Sequence, residues 1–283
     1  MQRAGPVRAG PLRHGLRSCG VFSDTATAVE KAISADGTRI AYWRLGQGPL
    51  LLLVHGALAD HDTAWRDVIG ELSGHFTTLA MDRRGRGGSG EPHPHSIEQG
   101  YEDIVAVIEA VGEDLHLVAH SYGANLALGA ALRSQRIKRL VLYEPQPKSK
   151  RDLDYADTLD ALLAAGDVAG FLAAFFGVPE KRAARLRQSP NWDEWVTFAG
   201  ATAADRRAFA GYVLEPDLYK SIGVPTLFLT GEDSRDRIRA TTDELAAVIP
   251  DSRIVTLPGQ NHFAMNAAPA MFNAEVMRFL LAG

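Results

Sequence analysis

Residues 114–134 read Asp-Leu-His-Leu-Val-Ala-His-Ser-Tyr-Gly-Ala-Asn-Leu-Ala-Leu-Gly-Ala-Ala-Leu-Arg-Ser, and this stretch decides the fold. A short apolar run closes on Ala119-His120-Ser121-Tyr122-Gly123, and an Ala-rich helical pattern starts at once. A serine caught in a tight strand-to-helix turn projects its hydroxyl away from the backbone. It also sits at a helix N-terminus, where unpaired N–H groups favour an anion. A nucleophilic serine needs both, and the motif form is Gly-x-Ser-x-Gly. Ala119 replaces the first glycine, a mild departure, because the position requires a small residue where strand and helix pack closely. An ordinary serine N-cap would leave similar letters, so the flanking segments must decide.

Outward from this turn the chain alternates strand and helix. Val29 to Ile33 and Thr38 to Leu45 read as strands joined by an Asp36-Gly37 turn. Pro49 to Val54 is continuously apolar, as in a strand buried on both faces of a parallel sheet. A helical pattern over Thr63 to Ser73, a strand over Phe76 to Met81 and an amphipathic helix over Ser96 to Val111 follow. After the elbow come a strand over Leu140 to Tyr143 and a helix-only region, residues 146–221. That region holds helical patterns over Leu153 to Ala165, Val168 to Phe176, Glu180 to Gln188 and Trp192 to about Tyr212. Alternation resumes with Thr226 to Thr230, a helix around Arg239 to Ile249, a strand over Arg253 to Leu257 and a last helix from Pro269 to Leu281. Such a pattern predicts an α/β chain with a mostly parallel sheet flanked by helices. Its ligands should bind beyond the carboxyl ends of the strands, where Ser121 lies.

Composition narrows the function. The 283 residues are 46% hydrophobic and 23% charged with a formal net charge of -4, a globular balance without the basic footprint of a nucleic-acid binder. No apolar stretch reaches membrane-spanning length, so neither nucleic acid nor membrane is expected as a partner; a small-molecule substrate is. Cys19 is the single cysteine, which excludes an intrachain disulfide. Arg3, Arg8, Arg13 and Arg17 recur among Pro6, Gly10, Pro11 and Gly15 with no acidic residue before Asp24. The Pro and Gly residues oppose the amphipathic helix of a transit peptide, and residues 1–24 read as a disordered extension to a cytoplasmic protein.

A serine hydroxyl needs a base within hydrogen-bond reach. Of the nine histidines, His262 follows the last strand through Pro258-Gly259-Gln260-Asn261, in a loop at a carboxyl edge, and is the expected general base. His14 lies in the tail. His61, His75, His93, His95 and His116 stand in surface or strand-entry contexts, and His120, beside the serine, should point away from it. The third member must accept the other imidazole N–H. Glu144, directly past the strand ending at Tyr143 and stiffened by Pro145, is one candidate; Gly231-Glu232-Asp233-Ser234-Arg235-Asp236 offers others. Oxyanion donors are expected from the amides of Tyr122 and of Ala57, where Gly56 permits the backbone turn.

Two patterns are set aside. Gly85-Arg86-Gly87-Gly88-Ser89-Gly90 fits the dinucleotide-binding form, but Glu91-Pro92-His93-Pro94 follows where a helix would have to open. No histidine pair at metal-ligand spacing lies on a predicted helix, so neither metal nor cofactor is expected.

Taken together, His55-Gly56, the Asp82 to Gly90 segment, the Ser121 elbow and Gly259-Gln260-Asn261-His262 resemble the α/β-hydrolase family, from about Val29 to the C-terminus. The resemblance implies an eight-stranded sheet with its second strand antiparallel and a helical cap inserted after strand six. It divides the chain into a core, residues 25–145 and 222–283, and a cap, residues 146–221. In most members the acid is the third residue after a glycine past strand seven. Counted from Gly231, that position holds Ser234. Other members, among them some haloalkane dehalogenases and zearalenone-hydrolase-like lactonases, place the acid after strand six, where Glu144 stands. Glu144 is therefore preferred, with Asp233 as the alternative acid and Asp236 behind it. A serine elbow disfavours dehalogenase and epoxide-hydrolase chemistry, which in this family uses aspartate there. The resemblance implies hydrolysis of a small, hydrophobic carboxylic ester or lactone through an acyl-enzyme, with Phe175, Phe176 and Trp192 of the cap against the substrate. Carbon–carbon bond hydrolysis of the ring-cleavage type, or slow-turnover small-molecule binding, are the alternatives.

Overall fold

The computed structural model describes residues 29–91, 93–147, 152–212 and 215–282; the expected N-terminal extension lies outside them. Eight strands form one sheet in the order β1-β2-β4-β3-β5-β6-β7-β8. They are β1 (Val29–Ile33), β2 (Arg39–Leu45), β3 (Leu50–Val54), β4 (Thr77–Met81), β5 (Leu115–His120), β6 (Ile137–Tyr143), β7 (Thr226–Gly231) and β8 (Ser252–Leu257). β2 runs antiparallel to both β1 and β4, and every other pairing is parallel.

The apolar run of β3 is buried throughout, and its pleat sends alternate side chains to two cores. Leu50, Leu52 and Val54 join the cluster under α3 (Ile97–Val111) and α4 (Tyr122–Ala131). Leu51 and Leu53 join the opposite cluster, with α1 (His61–Trp65), α2 (Ile69–Leu72) and the C-terminal helix. The single helix expected over residues 63–73 is thus two: a tight bond from Val68 N–H to Trp65 C=O (3.0 Å) interrupts the winding between them.

Between β6 and β7 lie α5 (Asp152–Ala164), α6 (Val168–Phe176) and α7 (Trp192–Ala210). Residues Glu180–Gln188 wind as a 3₁₀-helix rather than the expected α-helix. Leu186 is their one large apolar side chain, so they have no stripe to pack. A third apolar cluster holds this insertion together and takes in Leu58 from the loop after β3. After β7 come α8 (Asp236–Val248), then β8, a short α9 (Ala264–Ala267) not expected from the sequence, and α10 (Pro269–Leu280). Among the described residues no helix is long and apolar enough to cross a membrane.

The sheet order reverses at β3, between β4 and β5. A crevice opens at such a point beyond the carboxyl ends of the strands, where the loops after β3, β5, β6, β7 and β8 meet.

Candidate active site

Ser121 joins β5 to α4 with φ 57° and ψ -124°, a conformation that non-glycine residues avoid. Such strain costs about 1–3 kcal/mol and must be imposed by the surroundings. Here the Ser121 N–H donates to Tyr143 C=O (2.8 Å), and its own C=O accepts from Ala124 N–H (2.9 Å). Gly123 makes the turn possible. A Cβ there would stand 2.4 Å from His55 O and 2.7 Å from Val54 O, so only glycine lets α4 start against β3.

His262 presents Nε2 to Ser121 Oγ at 2.9 Å. Its loop is held by two groups. His120 Nε2–H donates to the His262 C=O (2.9 Å), while the Tyr143 hydroxyl donates to Asn261 C=O and accepts from Ala264 N–H. Burial, then the nearby His262 ring, hold the His120 imidazole well below its ordinary pKa, so it stays neutral with its hydrogen on Nε2. His120 spends its Nε2–H on the backbone that carries the base.

On the far side of the ring, His262 Nδ1 lies 2.5 Å from Glu144 Oε2. Glu144 is fully buried, and its Oε1 accepts from Gly231 N–H (2.7 Å), Ser234 Oγ–H (2.5 Å) and Thr230 Oγ–H (3.3 Å). Burial pushes this carboxyl up, but the bonds from His262, Gly231 and Ser234 outweigh it and hold the pKa below the ordinary carboxylate value. The alternative acid is not brought to the ring: Asp233 is exposed, its N–H bound to Gln260 C=O (2.8 Å). Asp236 is also exposed and pairs with Arg239 at 2.5 Å. Ser234, at the position counted from Gly231, contributes a hydroxyl to the carboxylate one strand away.

The Tyr122 amide opens α4 beside Ser121, and neither it nor the Ala57 amide is engaged by another described residue. Gly56 must be glycine, because a Cβ there would lie 2.9 Å from both His120 Nδ1 and Ser121 Cβ. The rest of the loop is tied down. Arg83 Nε–H donates to His55 C=O and an Nη–H to Gly56 C=O, both at 2.9 Å. Arg83 is itself buried against Asp205 of α7 (3.0 and 2.8 Å), which also takes Arg86 (2.5 Å). Thr202 Oγ accepts from Leu58 N–H at 3.1 Å. His55 is neutral, since burial and the two arginines push its pKa well down; Nε2 accepts from Arg83 N–H, leaving Nδ1–H for Gly56 C=O. His95, expected in a surface context, has a buried side chain 3.3 Å from Asp205.

Phe175, Phe176 and Trp192 are half-buried in the apolar cluster of the insertion. Phe176 packs on Trp195 (ring centroids 4.8 Å apart) and Phe175 on Phe176 (5.4 Å). Arg187 covers Trp192 at 5.1 Å. Sequence reasoning missed Gln146, whose side-chain Nε2 reaches Ser121 Oγ at 2.9 Å. Its only signal was its place two residues past Glu144.

Gly87–Ser89 forms a single 3₁₀ turn over Asp82, whose Oδ2 accepts from Gly88 N–H (2.7 Å), and the next helix waits until Ile97. The glycine-rich segment therefore lacks the helix that a dinucleotide pyrophosphate needs. Asp60, His61 and Asp82 lie close enough to share a cation. Their atoms are committed locally: Asp82 Oδ1 accepts from the His61 backbone and ring, and Asp60 caps α1.

A mostly parallel eight-stranded sheet with an antiparallel β2, and a strained serine elbow at its carboxyl edge, define the α/β-hydrolase class. Residues 51–275 match the alpha/beta hydrolase family, and the chain belongs to that family. It is similar to the 2-(acetamidomethylene)succinate hydrolase of Mesorhizobium japonicum, 27% identical over 257 residues that cover 83% of this chain and 89% of that protein. Similarity extends to the 2-hydroxy-6-oxo-6-(2'-aminophenyl)hexa-2,4-dienoic acid hydrolase of Metapseudomonas resinovorans, 26% identical over 266 residues, 89% of this chain and 91% of that one. Among solved structures, an alpha/beta hydrolase from Sphaerobacter thermophilus superposes with a TM-score of 0.78 at 35% identity, over 89% of this chain and all of that one (100%).

Proposed function

We propose that this chain is a serine hydrolase that cleaves a small, hydrophobic carboxylic ester or lactone through an acyl-enzyme. The observation that carries the reading is the unbroken hydrogen-bond chain Ser121 Oγ–His262–Glu144, at 2.9 and 2.5 Å. In this reading His262 Nε2 removes the Ser121 proton as Oγ attacks the acyl carbon. Glu144 receives the Nδ1–H and stabilises the imidazolium. The free amides of Ala57 and Tyr122 meet the oxyanion, a contribution of about 10²–10³ in rate per donor. His262 then protonates the leaving group, and water repeats the sequence to release the acid.

Residues 146–221 act as a cap over the core formed by residues 25–145 and 222–283. Leu58, Thr202 and Asp205 join the cap to the oxyanion loop. A covered site favours small substrates, with Phe175, Phe176 and Trp192 as the apolar wall. A cytoplasmic location accords with a single cysteine.

The Metapseudomonas relative carries a second reading, carbon–carbon bond hydrolysis, which the same three side chains support. A fluorophosphonate probe and a panel of p-nitrophenyl esters, lactones and vinylogous diketones separate the two. Labelling lost in Ser121→Ala, with turnover of esters or lactones lowered ~10⁴-fold or more, is the expected result. Turnover confined to the diketones favours the second reading, and ester turnover surviving in Ser121→Ala refutes both.

A further inference from the structure

Gln146 takes no part in the reaction as written, yet its side chain reaches the reacting atoms. Its Nε2 stands 2.9 Å from Ser121 Oγ and 3.4 Å from His262 Nε2. The orientation follows from chemistry. With the serine hydrogen committed to His262, Oγ is left presenting lone pairs, which an amide NH₂ satisfies and an amide oxygen would repel.

The seat is built. Asn125, buried in the first turn of α4, brackets the Gln146 backbone from both sides: Oδ1 accepts its N–H (2.8 Å) and Nδ2–H donates to its C=O (3.1 Å). Pro145 and Pro147 flank it and restrict the chain. Gln146 is thereby registered to the same helix that carries the nucleophile.

We propose that Gln146 is a catalytic residue that donates a hydrogen bond to the leaving-group oxygen, and that it selects oxygen leaving groups over carbon. The inference rests on the serine-hydrolase reading above. In acylation the Oγ–acyl bond forms and the Ser121 proton passes to His262 Nε2. The acyl–X bond then breaks and that proton moves to X, which leaves as HX. At that moment X lies against His262 Nε2, beside an Oγ that has become a weak ester acceptor. The Gln146 N–H released by Oγ turns to X. An ester oxygen has two lone pairs, one for the His262 proton and one for this bond; an amide nitrogen has a single pair, which that proton takes, and a carbon leaving atom has none to spare. In deacylation the attacking water occupies the place of X and accepts the same bond.

The test is a series of acetate esters from p-nitrophenyl to ethyl, measured as kcat/KM in wild type, Gln146→Met and Gln146→Glu. Gln146→Met should cost about ten- to hundredfold on ethyl acetate and less than about threefold on the p-nitrophenyl ester, whose leaving group needs little help. The plot against leaving-group pKa should therefore steepen. Gln146→Glu keeps the shape, loses the donor at neutral pH and should steepen likewise, which covers the case of a poorly folded Met variant. A uniform loss across the series means a structural role only and overturns the proposal. An active wild type with parallel plots sinks this assignment alone. A wild type that neither turns over esters nor labels at Ser121 sinks the hydrolase reading and this inference with it.

Discussion

Replacing Glu144 by glutamine changes one atom and should disable the site. In the native protein Oε1 accepts from Gly231 N–H and Ser234 O–H at 2.7 and 2.5 Å, while Oε2 faces His262 Nδ1. Two donors on the Oε1 side demand an acceptor, so the carbonyl oxygen of the variant takes that place and its NH₂ turns to His262. An NH₂ only donates, so the imidazole must present a lone pair at Nδ1 and carry its hydrogen on Nε2. That tautomer cannot take the Ser121 proton. The expected loss in kcat is ~10⁴-fold, about 5 kcal/mol of barrier. The fold should survive, because the bonds to Gly231 and Ser234 remain. Asp233→Asn, at an exposed position, should stay within about twofold of wild type. Hydrolysis of p-nitrophenyl acetate and the rate of fluorophosphonate labelling measure both variants, with thermal melts as the control for folding. Glu144→Gln activity within tenfold of wild type, or an Asp233→Asn loss larger than that of Glu144→Gln, would refute the reasoning.

Three more expectations concern the same neighbourhood. Ser121→Gly should abolish turnover yet raise Tm by about 2 °C, since glycine relieves roughly 1 kcal/mol of strain at φ 57°; a lower Tm means the elbow stores no strain. Gly56→Ala should lower kcat by about 10²–10³ with KM little changed, because its Cβ would displace the oxyanion loop from the serine; an unchanged kcat removes that loop from the reaction. Asp205→Asn should cost about 3–5 kcal/mol in denaturant unfolding, as it strands Arg83 and Arg86 in the interior. Burial raises the Asp205 carboxyl, but Arg83 and Arg86 outweigh it and hold the pKa well below 3.8. Its stabilisation is thus complete above that value and drains as pH falls towards the lower folded one. The variant should show a shallower acid limb, and an identical limb contradicts the assignment.

Local patterns were the readable ones. The apolar run at Leu50 to Val54, the small-Ser-small turn at Ser121 and the apolar helical face from Ile97 to Val111 each encode their conformation locally. The loop placing His262 was readable for the same reason, because it follows directly on the last strand of the alternation. Errors fell on local winding: one helix at residues 63–73 became two at a tight turn, and the Arg-rich 180–188 segment, with no apolar stripe to pack, wound as 3₁₀.

The choice of acid shows where local reading stops. Glu144 and Asp233 both follow buried strands, and it was the family resemblance rather than their own letters that put Glu144 ahead. The side chain that meets His262 depends on the stagger of β6 against β7, which puts Gly231 N–H and Ser234 O–H on Glu144 and leaves Asp233 in solvent. Gln146, His95 and Asp205 were hidden for a related reason. Their partners lie far along the chain, as with Asp205, 122 residues from Arg83, and no periodicity records such a contact. Segment-level conformation follows from neighbours in the chain, so the order of elements and the serine turn were legible in the letters. Hydrogen-bond partners across strands depend on register and on the way α7 seats over the sheet, and only the assembled fold determines those.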